Sequence, residues 1–149
     1  MWGREKERHI YLFMKKFELI EHTADMGVAA YGKDLAEAYA NAAYGMFSII
    51  AEVGGFKEKE TRRVEVESDD KESLLFEWLN TLLYYFDVEG LVFKRFDIIE
   101  FGEKKIRADC TGEKYDPKRH QIKRGVKSAT FHMLEVDEKK NRVQVIFDV

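Results

Sequence analysis

Leu74, Leu75, Trp78, Leu79, Leu82, Leu83 and Phe86 recur at three- and four-residue spacings, the strongest helical stripe in the chain. A helix with one wide apolar face is stable only where another layer covers that face, so the stripe demands a layered fold. Lined up like this, aromatic and leucine side chains serve a core rather than a ligand pocket. Asp69 with Glu72 three residues later reads as the start of this helix, and Gly90 as its stop. A second helix opens at Asp34 with Glu37. It carries Leu35, Ala38, Tyr39, Ala42, Met46, Phe47 and Ile50 on one face and is expected to end near Gly54-Gly55.

Strand signals surround the two helices. Phe17, Leu19 and Glu21 alternate with Glu18, Ile20 and His22, a second short strand covers 28–31, and Val64 and Val66 alternate with charged residues. A hairpin follows, with arms at 92–101 and 104–110 and a turn at Gly102-Glu103. Residues 111–127 form a long polar loop around Pro117, and two more strands are expected at 129–136 and 142–148. The order is two strands, helix, strand, helix, four strands. That order predicts an α+β fold, a single compact domain with a largely antiparallel or mixed sheet and two main helices, rather than a doubly wound parallel sheet. Residues 1–13 are polar and aperiodic and read as a disordered or extra tail, with Met14 a candidate start. The domain proper is 14–149.

Composition narrows the function. A chain of 149 residues with one cysteine has no internal disulfide and no cysteine-built metal site, and a reducing, cytoplasmic setting is expected. Ile106, Ala108 and Cys110 share a strand face, so Cys110 reads as a buried small hydrophobe. No apolar run reaches a membrane span. Abundant Arg, Lys and Glu, with glutamine only at Gln121 and Gln144, point to a heat-adapted source. The net charge of −3 argues against a free-standing nucleic-acid binder. There is no phosphate loop, dinucleotide fingerprint or nucleophile elbow.

Three constellations remain. In Glu21-His22-Thr23-Ala24-Asp25 a carboxylate and an imidazole follow a strand end. They suit a metal or acid–base role, but spacing alone favours a turn in which Asp25 binds its own backbone. In the last strand Val143, Val145, Phe147 and Val149 face the core, which turns Asp148 to the other side with Gln144 and Ile146. The Asp148 side chain and the Val149 terminal group then offer two hard oxygen donors, better suited to calcium, magnesium or manganese than to zinc; an ordinary solvated terminus is the alternative. Between 114 and 127 six basic residues face one acid, a local +5 that leaves −8 for the rest of the chain. Such a loop suits phosphate groups, an acidic protein, or solvent alone.

The octapeptide Glu21-His22-Thr23-Ala24-Asp25-Met26-Gly27-Val28 resembles the opening motif of the archease family. The resemblance continues through Leu75-Phe76-Glu77-Trp78-Leu79-Asn80-Thr81-Leu82-Leu83, Gly112-Glu113-Lys114-Tyr115-Asp116-Pro117 with His120, Val126-Lys127-Ser128-Ala129-Thr130-Phe131-His132, and Val145-Ile146-Phe147-Asp148-Val149. Met26 stands where isoleucine is usual and Phe131 where tyrosine is usual. The resemblance implies a non-enzymatic partner of the RtcB-type RNA-splicing ligase, which joins tRNA halves. Such a partner promotes guanylylation of the ligase by GTP with a divalent metal, and supports multiple turnover. It also implies a metal site at Asp25, Asp148 and Val149, with calcium the first candidate and manganese or magnesium the others. His22 and His132 are expected just behind these ligands. Partner or phosphate contacts are expected from Lys114, Tyr115, Asp116, Lys118, Arg119, His120, Lys123, Arg124 and Lys127. The ligase is then the partner, tRNA is met only indirectly, and no membrane is involved. The residues leave two other readings open: a metal-dependent phosphoester hydrolase using His22, Asp25 and Asp148, and a general chaperone of RNA-modifying enzymes.

Overall fold

The computed structural model describes residues 16–22 and 25–149, so the tail expected at 1–13 lies outside the described residues. The elements run β1 (Phe17–His22), β2 (Asp25–Tyr31), α1 (Leu35–Ile50), a 3-10 turn (Val53–Gly55), β3 (Glu60–Glu67), α2 (Lys71–Glu89), β4 (Leu91–Phe101), β5 (Lys105–Lys114), β6 (Ser128–Asp137) and β7 (Arg142–Asp148). The fold is α+β, in the element order read from the sequence.

The strands form two sheets rather than one. One has the order β1-β2-β7-β6 and the other β3-β5-β4, and every described pairing is antiparallel. The helices lie between them. α1 packs on β1, β2 and β7 from one side and on β4 from the other, while α2 touches β6 and the second sheet. A three-layer sandwich covers both helices on two sides. This is why the stripe of α2 is so wide: Leu74, Leu75, Trp78, Leu79, Leu82 and Leu83 are all buried.

Local chemistry sets the helix ends. The Asp34 side chain accepts from the Glu37 amide at 2.8 Å and Glu37 accepts from the Lys33 amide at 3.0 Å, a reciprocal capping box. The cap of α2 is Asp70, not Asp69, because the Asp70 carboxylate is the one that reaches the Ser73 amide, at 2.7 Å. That bond holds its carboxyl below the usual aspartate range. Gly90, in the left-handed conformation at φ 72°, ends α2 as expected. α1 stops at Ile50, before the glycines. Ala51 is extended and bridges to Ile122, and the Ile50 carbonyl accepts from the Lys123 amide at 2.7 Å. A long-range strand contact therefore ends that helix. The hairpin's second arm also runs four residues past Cys110, so Thr111 to Lys114 belong to β5 rather than to a loop. Cys110 is fully buried, and burial pushes its thiol well above the ordinary cysteine value.

α1 lies close on the first sheet because Gly45 has no side chain. A Cβ there would come within 2.9 Å of Val28 Cγ1 and 3.1 Å of Phe17 Cδ2. Among the described residues no helix is long and apolar enough to cross a membrane.

Candidate metal centre and basic loop

Asp25 opens β2 and Asp148 closes β7. These strands pair with Gly27 opposite Ile146 and Met26 opposite Phe147, so the next step of the same register sets Asp25 beside Asp148. Residues directly opposed in an antiparallel pair share a face. Met26, Val28 and Ala30 face α1, so Asp25 and Asp148 rise from the outer face of the sheet. The row extends across all four strands, with His22 opposite Asp25 and Ser128 opposite Asp148. Behind it, Gly27 makes room for its neighbours: a Cβ there would meet Ile146 Cδ1 at 2.6 Å and Ile20 Cβ at 3.3 Å.

Asp25 is half-buried and Asp148 is exposed. Among the described residues neither side chain has a hydrogen-bond or ion-pair partner. Val149 packs against the core, which pins the end of β7. Like charges on directly opposed residues of a strand pair, whose Cβ atoms lie about 5 Å apart, repel each other. A cation between them removes that repulsion, and hard oxygen donors suit calcium, manganese or magnesium. The pair fits such an ion without completing its shell. Among the described residues, no group of three or more His, Cys, Asp or Glu side chains converges to hold a metal. The His22 side chain lies outside what is described. His132 is exposed, four residues beyond Ser128, in the bulge where β6 loses register with β7 between Thr130 and Glu135. It is not in the row.

The basic stretch is only partly available to a partner. Glu113, 4% exposed, is its anchor. One of its carboxylate oxygens accepts from the Lys57 amide at 3.0 Å and lies 3.1 Å from His120 Nε2. The other receives Arg119 and lies 3.2 Å from Lys59 Nζ. His120 stacks on Phe56 with ring centroids 3.8 Å apart. Its Nδ1 accepts from the Asp116 amide at 2.9 Å, which leaves the Nε2 proton for Glu113. Arg119 also binds Asp116 at 3.2 Å, and Lys123 pairs with Glu52 at 3.6 Å. Tyr115 packs against the core, and its amide donates to the Gly90 carbonyl. Arg119 and His120 thus hold the loop in shape. Lys114, Lys118, Arg124 and Lys127 are exposed, with no ion-pair partner among the described residues.

The Lys57 amide, followed by Arg119 and Lys59, holds the Glu113 carboxyl down to about 2. Its value is lower folded than unfolded, so the unfolded chain binds this proton first. The stabilisation is complete above about 4.5 and disappears as pH falls towards 2. Melting temperatures taken across that window should fall steeply for the wild type and more gently for Glu113→Gln. Parallel curves would show that Glu113 does not govern the acid limb.

A separate cleft of about 530 Å³ opens where the start of α2, the β4–β5 turn and the β6–β7 turn meet. Seven carboxylates line it, among them Asp69, Glu103 and Asp137, together with Lys71 and Lys139. It lies at the other end of β6 and β7 from Asp148, and sequence reading missed it because its acids come from three distant segments.

The model of the Archease protein family matches residues 17–149. Protein archease of Pyrococcus abyssi is 44% identical over 128 residues, covering 84% of this chain and 90% of the relative. Protein archease of Sulfurisphaera tokodaii is 38% identical over 138 residues, covering 91% and 99%. The solution structure of Methanobacterium thermoautotrophicum protein 1598 superposes with a TM-score of 0.75 at 36% identity, covering 91% of this chain and all of that one. The crystal structure of an archease from Thermotoga maritima, described as a possible chaperone, shares the fold at a TM-score of 0.52 and 20% identity, covering 89% and 96%.

Proposed function

The chain belongs to the archease family, and from that membership we propose that it is a non-enzymatic activator of an RtcB-type RNA-splicing ligase, promoting metal-dependent guanylylation of the ligase by GTP and repeated turnover in the cytoplasm. The observation that carries this reading is the carboxylate pair. One step beyond Met26 and Phe147 the β2–β7 register puts Asp25 beside Asp148 at a sheet end, and among the described residues neither side chain has a hydrogen-bond or ion-pair partner.

In this reading Asp25, Asp148 and Val149 hold a divalent cation, calcium in first place and manganese or magnesium otherwise. When bound, such an ion supplies positive charge to phosphate oxygens. The protein's own part is positional. The β2–β7 register fixes the two carboxylates, and Val149 anchors the strand that carries one of them. Lys114, Lys118, Arg124 and Lys127 meet an acidic surface of the ligase, while Glu113, Arg119 and His120 keep their loop folded.

The test is to add the protein to purified ligase, GTP, manganese and broken RNA. Wild type should support many joining cycles per ligase molecule. The isolated protein should turn over no phosphoester, and hydrolysis by it alone would move the site to metal-dependent hydrolysis. A second reading, general chaperone, is favoured by the exposed Tyr84, Val88, Phe131 and Met133 and by the description of the Thermotoga maritima relative. It predicts protection of unrelated proteins that is indifferent to Asp148.

A further inference from the structure

Two aspartates give a calcium-type ion too few oxygens, since such ions take 6–8. The row across the first sheet contains another oxygen. Ser128 lies directly opposite Asp148, on the same outer face, on the side away from Asp25. We propose that the Ser128 hydroxyl belongs to this centre as an outer partner, holding one water of the ion's shell; this rests on the reading that Asp25 and Asp148 hold a cation.

Three observations support it. First, Ser128 is held from both sides. The Lys127 amide donates to the Asp148 carbonyl at 2.8 Å, and the Ala129 amide donates to Asn80 Oδ1 of α2, also at 2.8 Å. Ala129 is 2% exposed, so without Asn80 its N–H would be buried and unpaired. The backbone that carries the hydroxyl is therefore fixed to β7 and to α2 at once. Second, the hydroxyl is uncommitted. Thr130, two residues along on the same face, donates its hydroxyl to the Ile146 carbonyl at 2.8 Å, whereas Ser128 has no hydrogen-bond partner among the described residues. Third, its chemistry matches. A neutral hydroxyl is a hard donor that adds no further negative charge to a row already carrying two carboxylates.

Calorimetric titration of the full chain with calcium alone, and then with manganese alone, tests this. Relative to wild type, Ser128→Ala should bind roughly tenfold more weakly, the low end of the loss seen when an outer partner of a metal site is removed. Ser128→Thr keeps the hydroxyl and should bind within about twofold of wild type. Asp148→Ala should lose binding. Ser128→Ala binding as tightly as wild type, while Asp148→Ala does not bind, would overturn the role of Ser128 and leave the aspartate pair standing. No binding by the wild type would remove the underlying reading as well. Melting curves of each variant separate lost binding from lost folding. A Ser128→Ala protein that melts like wild type and binds weakly is the expected outcome, and loss of binding by Ser128→Thr at an unchanged melting temperature would count against the hydroxyl.

Discussion

Trp78→Ala is expected to cost about 3–5 kcal/mol, the largest stability loss from any single truncation in this core. Trp78 is fully buried between the sheets. Its indole N–H donates to the Tyr39 carbonyl at 3.0 Å, joining α2 to α1, and its ring meets Phe96 of β4 edge-on at 6.3 Å. Truncation opens a cavity bounded by three elements that hold each other in place, so it collapses poorly. It also strips a partner from a buried interaction. At roughly 2–4 °C per kcal/mol for a chain of this size, the melting temperature should drop by on the order of 10 °C. Trp78→Phe keeps most of the volume and loses the indole bond, and should cost only about 1 kcal/mol. Equal losses for the two variants would place the effect in the hydrogen bond rather than in packing.

Asp148→Ala and Asp25→Ala are expected to do the opposite: leave stability within about 0.5 kcal/mol of wild type and weaken divalent-ion binding by at least 10–100-fold. Asp148 is exposed and, like Asp25, has no partner among the described residues, so the fold loses no bond with either carboxylate. Removing one of two repelling charges can only ease the strand pair. Thermal melting with and without added calcium reads both effects together. Wild type should be raised by the ion and the variants should not, since an ion that binds only the folded state stabilises it by mass action. Variants that melt far below wild type would show instead that the aspartates are structural.

How much of this was legible in the sequence depends on the range of the interaction responsible. The buried face of α2 was readable because a 3.6-residue period is local, as were the capping box at Asp34 and Glu37 and the stop at Gly90. The choice between Asp69 and Asp70 was not, since two adjacent acids offer the same signal and only geometry decides which reaches the Ser73 amide. The end of α1 was misplaced because the bridge from Ala51 to Ile122 spans 71 positions. The split into two sheets was hidden for the same reason: β3 pairs with β5, beyond a whole helix, instead of with β2.

The candidate site divides in the same way. Alternation in β7 was enough to turn Asp148 away from the core, and family resemblance named Asp25 as its companion. Their adjacency came from the β2–β7 register, and only the β6–β7 register brought Ser128 into the row. In the basic stretch, residue counting gave +5 but did not show that Glu113, reached from Lys57 and Lys59 as well as from Arg119, takes up part of that charge.

If the protein activates the ligase as proposed, its carboxylate pair speeds formation of the guanylylated enzyme. The direct measurement is the rate at which purified RtcB-type ligase becomes labelled by radioactive GTP in manganese, alone and with wild type, Asp25→Ala or Asp148→Ala. Labelling should be faster with wild type and run at the unassisted rate with either variant. Acceleration by Asp25→Ala or Asp148→Ala equal to that of wild type would contradict the proposal.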